Sequence, residues 1–444
     1  MSTSISLKNI SKLAIPALIS GISEPVLSLT DAAIIGNVDI NATEALAAIG
    51  IVTSFLSMLI WVLGQTRSAL SSIVSQYLGA NTLDNVKNLP AQVIFIITSF
   101  SILIIVCTYP FAQYIFKFYN ASQLILDYSV DYYKIRVFGF PFILFTMAVF
   151  GTFRGLQNTF YPMVIALLGT IINIFLDFLL VYCYGDLIPA MHIEGAAYAS
   201  LISQVLMALA SIYFLLKKTD IPLWVKLPFN PEIKRFLGMI LNLFIRTLAL
   251  NVTLYLGTSY SAALGKSQIA AYTIAINLWF LGAFIIDGYA SAGGILSGKL
   301  LGNKNYNILL KLGQKLMIYG IVIGVILALV GFGLYHPIGR IFTQDEDVLK
   351  EFYNIFWIVL AMQPVCSLAF IYDSIFKGLG RMKVLRNLLL IATFIVFVPV
   401  LYLLDLLEWQ LYAVFTALFA WILARSFPLV YIFRRSFKPL VENV

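Results

Sequence analysis

Eight ionisable side chains fall inside stretches of this chain that are otherwise apolar: Glu24, Asp31, Arg67, Arg136, Asp177, Arg246, Asp287 and Asp373. Each costs roughly 2.5–3.5 kcal/mol to place at the centre of a membrane helix, so each needs a reason. The acids suggest one chemistry above others. Burial favours a neutral carboxylic acid and a neighbouring cation favours the carboxylate, so such a group can trade a proton for a cationic ligand. Glu24 and Asp31 are seven positions apart, Asn173 and Asp177 four, and each pair therefore shares one face of a helix. The competing role is structural, with a buried acid held by Arg67 or Arg136.

Other chemistries find no footing. Cys107, Cys183 and Cys366 are far apart in apolar runs, the histidines number two, and there is no CxxC, HExxH or mixed Cys/His cluster. A zinc site and a disulfide framework are therefore not implied. No nucleophile–base or metal constellation is visible, so the chain reads as a non-enzyme without a cofactor.

The elements that must hold these acids are membrane helices. Hydrophobic residues make up 61% of the chain and charged residues 11%, whereas a soluble domain carries about 25% charged residues. Mean hydropathy is +0.92. A spanning helix needs roughly 20 mostly apolar residues. The expected spans are 11–36, 46–79, 89–117, 124–153, 160–183 and 194–217, then 234–262, 268–301, 307–341, 348–376, 384–405 and 410–434. Between the two sets lies KTDIPLWVKLPFNPEI, a linker at 218–233 with Pro222, Pro228 and Pro231. The expected organisation is a first lobe at 1–217 and a second at 234–444, an all-α integral membrane protein of twelve helices.

Basic residues orient the chain. Lys8, Lys12, Lys87, Arg154, Lys217 and Lys218, then Lys299, Lys304, Lys377, Arg381 and Lys383, occupy the amino terminus and alternate loops. The positive-inside rule then puts both termini in the cytoplasm. The net charge of +8 is met by an anionic lipid leaflet, with no call on nucleic acid.

The lobes repeat each other 223 positions apart. Ala47-Ala48 returns as Ala270-Ala271, Ser68-Ala69 as Ser291-Ala292, Leu78-Gly79 as Leu301-Gly302, Pro141 as Pro364 and Gly155-Leu156 as Gly378-Leu379. Two copies with an even number of spans share one orientation, related by a pseudo-two-fold axis along the membrane normal, an architecture of transporters. The acids do not repeat. Asp31 corresponds to Leu254, Asn173 and Asp177 to Val396 and Val400, Asp287 to Gly64, and Asp373 to Phe150. Scaffold positions recur and these do not, which points the acids toward function. Pro16 and Pro25 share a helix with Glu24 and Asp31, and proline kinks helices, so they are the expected hinge; a static bend is the alternative.

The chain resembles the multidrug and toxic compound extrusion (MATE) family, in its DinF-like branch. The resemblance rests on SEPVLSLTDAAIIGNVD (Ser23–Asp39), TRSALSSIVSQYLGAN (Thr66–Asn81), FRGLQNTFYPM (Phe153–Met163) and INIFLDFLL (Ile172–Leu180). It continues in the second lobe with IAAYTIAINLWFLGAFIIDGYASAGGILSGKLLG (Ile269–Gly302) and YDSIFKGLGRMKVLRN (Tyr372–Asn387). It implies two six-helix lobes and export of organic cations and other amphiphilic drugs by alternating access, driven by inward protons or sodium. Asp31, Asn173 and Asp177 would form the cation and drug site, with Tyr132 and Glu24 beside them. Asp287, Asp373 and Arg246 would form a second-lobe site. The sodium-driven branch pairs the counterpart of Asp373 with a Glu in helix seven. Here that helix offers Asn242, Arg246, Thr247 and Asn251, which favours protons. The expected setting is the inner membrane of a prokaryote, as a monomer. The alternatives are sodium-coupled export, or a lipid-linked oligosaccharide flippase of the same superfamily, whose cavity would carry more basic residues to meet pyrophosphate.

Overall fold

In lipid every backbone N–H and C=O must be bonded within its own segment, so long apolar runs become helices. The computed structural model describes residues 5–36, 42–119, 123–182 and 191–442. No strand occurs among them. Residues 37–41, 120–122 and 183–190, Cys183 among them, lie outside the described residues.

The first half holds α1 (Leu7–Ile35), α2 (Ala42–Leu63), α3 (Thr66–Gly79), α4 (Leu89–Thr108), α5 (Ala112–Lys117), α6 (Gln123–Arg136), α7 (Phe140–Gly155), α8 (Phe160–Val181) and α9 (His192–Lys218). The second holds α10 (Glu232–Leu264), α11 (Lys266–Gly302), α12 (Tyr306–Gly333), α13 (Tyr335–Phe342), α14 (Glu346–Gly378), α15 (Met382–Ile391), α16 (Val398–Leu406) and α17 (Leu411–Glu442). Among the described residues, eleven stretches are long and apolar enough to cross a membrane. The 29-residue α1 completes the twelve long helices of a multi-pass membrane protein. Its path through positions 16 and 25 is one unbroken helix.

The duplication is visible in where elements stop. The stretch Gln123–Gly155, α6 and α7, returns as α14, Glu346–Gly378. Helix α3 ends at Gly79 and α11 at Gly302, and the short α5 and α13 begin at Ala112 and Tyr335. One packing contact repeats as well. Gly155 lies against Ser71 and Val74, where an added Cβ would sit 2.6 Å from the Val74 Cβ. Gly378 lies against Gly294 and Ser297, the residues at the same offset from Ser71 and Val74. In both places glycine lets two helices touch where any side chain would hold them apart.

The copies differ in continuity. The span of α2 and α3 breaks at Gly64–Gln65, and that of α6 and α7 passes through a 3₁₀ turn at Val137–Gly139. Their counterparts α11 and α14 are unbroken. In the second copy a π-helical turn, Ala392–Phe397, separates α15 from α16.

By contacts the chain divides into two units. The amino-terminal unit comprises Ile19–Tyr77 and Thr82–Leu237; the other comprises Met1–Leu18, Leu78–Asn81 and Gly238–Val444. These borders differ from lobes at 1–217 and 234–444, and two of the differences have visible causes. The first turns of α1 bury Ile10, Leu13 and Ala14 in one cluster with Leu296, Leu309 and Leu312. The linker is clasped to the amino-terminal unit by Gln92. Its amide nitrogen donates to Lys226 O at 2.6 Å and Pro228 O at 3.2 Å, and its oxygen accepts from Asn230 N at 2.9 Å.

Candidate functional site

The amino-terminal unit contains a cavity whose empty space, open mouth included, is about 1010 Å³. Helical periodicity builds its wall. Helix α1 supplies Ser20, Ser23, Leu27 and Asp31, α2 supplies Thr53, Leu56, Ser57 and Ile60, α7 supplies Ile143, Thr146, Met147 and Phe150, and α9 supplies Ser200, Ser203, Gln204 and Met207. Steps of three and four keep each set on one helix face. Tyr132 and Arg136 of α6, four apart, and Arg67 of α3 complete the polar lining.

At Asp31 the wall backs onto a buried polar cluster. Asp31 is 5% exposed, and Asn173 and Asp177 are wholly buried. The Asn173 amide ties the two acids together. Turned so that its nitrogen faces the carboxyl groups, it donates to Asp177 Oδ2 at 3.0 Å and to Asp31 Oδ1 at 3.1 Å, while its oxygen accepts from Ser200 N at 3.2 Å. The opposite orientation leaves the amide oxygen facing acceptors, with one bond to Ser200 Oγ at 3.3 Å. The hydrogen-bond inventory of an amide decides for the first. The Asp31 and Asp177 side chains are within hydrogen-bond reach of each other, and the Ser200 hydroxyl reaches Asp31. Arg136, which lines the cavity with Tyr132, is the nearby positive charge acting on both acids. Buried Asp177 Oδ1 has no donor among the described residues.

The sequence-derived residues Asp31, Asn173, Asp177 and Tyr132 thus lie together. Glu24 and Pro25 belong to α1, but their side chains lie outside the described residues. Pro16 is half-buried. Ser200 and Gln204 were not singled out from sequence, although Ser200, Ser203 and Gln204 at helical spacing in an apolar span were a usable signal. Arg136, read there only as a structural partner, stands beside the acids.

In the other unit Asp373 has a different setting. Arg246 Nη2 lies 2.6 Å from its Oδ1, Lys377 Nζ 2.8 Å from its Oδ2, and Arg425 Nη2 3.6 Å from its Oδ1. The Arg425 guanidinium also lies 4.8 Å from the Trp421 ring centroid. Asp373 and Arg246, expected together, are together; Asp287 is exposed and not part of this group. No cluster of three or more His, Cys, Asp or Glu suited to a metal ion occurs among the described residues.

Comparison with known proteins adds the following. The family profile described as MatE matches residues 16–179 and 243–403. Protein DETOXIFICATION 42 of Arabidopsis thaliana is 29% identical over 256 residues, 56% of this chain and 47% of that protein. The chain thus spans about half the length of that relative. DNA damage-inducible protein F of Escherichia coli is 25% identical, over 86% of this chain and 82% of its own length. Multidrug resistance protein NorM of Vibrio vulnificus is 25% identical, over 90% and 88%. A crystal structure of MATE in the bent conformation superposes with a TM-score of 0.90 at 19% identity, covering 98% of this chain and 96% of the other, a likeness of fold.

Proposed function

The chain belongs to the MatE family, and from that premise we propose that it exports cationic and amphiphilic small molecules across the membrane in exchange for protons. The relatives named for multidrug resistance and detoxification support the substrate class. One observation carries the coupling: a carboxyl group in the cavity wall, Asp31, bridged by a single amide to the buried carboxyl group of Asp177, with one arginine nearby.

The cluster has two useful states. With both acids ionised, two negative charges stand against Arg136, and a cationic amine entering from the inside is drawn to Asp31. With a proton supplied from outside, one acid donates to the other. The donor lacking at Asp177 Oδ1 is then present, and the hold on the amine weakens. Like-charged carboxyl groups in contact favour sharing a proton. Binding of proton and drug is therefore mutually exclusive, which is sufficient for antiport when the cavity opens to each side in turn. Bending of α1 around Pro16 and Pro25 is the proposed moving part. Two lobes joined through 218–233, an inner-membrane setting with both termini inside, and a monomeric state complete the proposal.

The energetics suffice. A proton moving through 100 mV yields roughly 2.3 kcal/mol, each pH unit adds about 1.4 kcal/mol, and a tenfold drug gradient opposes with about 1.4 kcal/mol. Exchange of one proton for one monovalent cation is electroneutral, so the pH difference alone drives it. Sodium coupling is disfavoured because Asp373, the second-unit acid, is already met by three cations.

The test uses the purified chain in vesicles loaded with a fluorescent organic cation. Efflux follows an imposed pH gradient in sodium-free buffer, and Asp31→Asn abolishes it while the variant still purifies as folded protein. Efflux that requires sodium overturns the choice of ion; normal efflux by the variant overturns the site.

A further inference from the structure

The buried polar group of the second unit does not close on itself. Asp373 is one carboxyl group, and Arg246, Lys377 and Arg425 stand around it. The Lys377 side chain, 22% exposed, can be served by water. The side chains of Arg246 and Arg425, 9% and 4% exposed, cannot. Asp373 balances one of these two guanidiniums, and the other has no second acid in an ion pair with it among the described residues. The neighbouring Ile371, Ile375 and Phe376 are buried and apolar, a setting in which an unbalanced ion is costly.

The donors are as underused as the charge. Two guanidiniums carry roughly ten N–H groups. Among the described residues they make one hydrogen bond, from Arg246 Nη2 to Asp373 Oδ1 at 2.6 Å. The buried Nε of Arg246 has no partner there. Arg425 Nη2 is 3.6 Å from the same carboxyl oxygen, beyond hydrogen-bond reach. Helical spacing holds Arg425 in place without using its N–H groups. Trp421 and Arg425 are four apart on α17 and share a face. The guanidinium carbon lies 4.8 Å from the Trp421 ring centroid and 5.8 Å from that of Phe370 on α14. A ring takes the face of a guanidinium and leaves its edge, where the N–H groups point, to an acceptor.

The repeat separates this group from the scaffold. Lys377 corresponds to Arg154, basic in both copies, whereas Asp373, Arg246 and Arg425 correspond to Phe150, Ser23 and Ile202. The acid and both buried guanidiniums are therefore peculiar to the second copy.

We propose that this cluster is an anion site, in which Arg246 and Arg425 together hold one phosphate group as the resident counter-charge of the second unit. A carboxylate is matched by a single guanidinium fork. A phosphate group spreads its oxygens tetrahedrally and meets two forks at once. Asp373 keeps the two guanidiniums side by side, and so presents them to one ligand. The anion is a fixture and not cargo, so the site stands apart from the export reading above. Inorganic phosphate and the headgroup of an anionic phospholipid offer this same chemistry.

The test uses the purified full-length chain in detergent, with inorganic phosphate as the probe and ionic strength held constant with sodium chloride. Equilibrium dialysis gives the amount bound, and native mass spectrometry shows any phospholipid retained. The expected result is saturable binding of one phosphate per chain, or one retained phospholipid that phosphate displaces; the first marks the free ion as the source, the second the lipid. Arg425→Lys and Arg246→Lys each keep the charge and remove a fork, and each is expected to weaken binding about tenfold. Two such variants keep the test open if one fails to fold. Arg435→Gln, at an exposed position, is expected to leave binding unchanged. The proposal is overturned if the unaltered chain takes up neither phosphate nor a displaceable phospholipid. It is overturned equally if binding survives both lysine variants, or is lost with Arg435→Gln, since the anion would then be held by basic residues at the surface.

Discussion

Each half of the duplicated chain buries aspartate, and the two halves treat it in opposite ways. In the amino-terminal unit two acids share one neutral amide and one nearby arginine. In the other a single acid faces Arg246, Lys377 and Arg425. The first arrangement has carboxyl groups in excess of cations and a carboxyl oxygen without a donor among the described residues. The second has cations in excess and its acid saturated. The acids stand at positions that do not correspond across the repeat, so two copies of one scaffold hold buried carboxyl groups in opposite balances of charge. The breaks follow the same division. Both interruptions at Gly64–Gln65 and Val137–Gly139 occur in the amino-terminal unit, each beside an arginine that lines the cavity.

The sharpest way to break this comparison is to neutralise the acids one at a time. Asp31→Asn and Asp177→Asn are expected to lower proton-driven efflux at least about 100-fold, a loss of roughly 2.8 kcal/mol of coupling at 1.4 kcal/mol per factor of ten. Asp373→Asn is expected to act on stability. It leaves three buried or half-buried cations uncompensated, and removing one partner of such a group costs about 3–5 kcal/mol. Thermal unfolding in detergent, read beside the transport rate of the surviving folded protein, separates the two outcomes. An Asp373→Asn variant that stays fully stable and loses coupling would show that the second unit exchanges cations after all.

These two environments were unequally legible in the sequence. The twelve helices could be read from apolar runs, and the i, i+4 pairs Asn173–Asp177 and Asp373–Lys377 from helical spacing. That Asp31 joins the first pair, and that Arg425 of α17 reaches Asp373, depends on contacts between distant helices, which spacing within one helix does not report. The breaks were hidden for another reason. At Gly64–Gln65 the apolar run contains no proline, so composition gives no stop signal; at Val137–Gly139 the only signal was Pro141, which stands in the first turn of α7. The runs at 89–117 and 307–341 likewise concealed the short α5 and α13. The asymmetry of the acids across the repeat, by contrast, was visible from sequence, because the scaffold positions around them recur.

A smaller effect tests whether the second unit is also the stiffer one. At Gly155 an added methyl meets the Val74 side chain first, whereas at Gly378 it meets the backbone oxygen of Gly294. Overpacking costs roughly 1–3 kcal/mol, and backbone yields less readily than a side chain. Gly378→Ala is therefore expected near the top of that range and Gly155→Ala near the bottom, read as unequal losses in apparent Tm. Equal losses would remove rigidity from the contrast and leave charge as its whole content.

The smallest expected effect probes how self-contained the acid pair is. Ser200 serves it twice, through a hydroxyl that reaches Asp31 and a backbone N–H that holds the Asn173 oxygen at 3.2 Å. Ser200→Ala deletes the hydroxyl and keeps the backbone donor. Asn173 should then remain oriented, with both its N–H groups still on the two carboxyl groups. The loss is one hydrogen bond, about 0.5–1.5 kcal/mol, and the expected fall in proton-driven efflux is roughly threefold, with sodium independence retained. A loss as deep as that of Asp31→Asn would mean that the hydroxyl, and not the amide bridge, sets the state of Asp31. The contrast with Asp373 would then rest on one hydrogen bond rather than on the ratio of acids to cations.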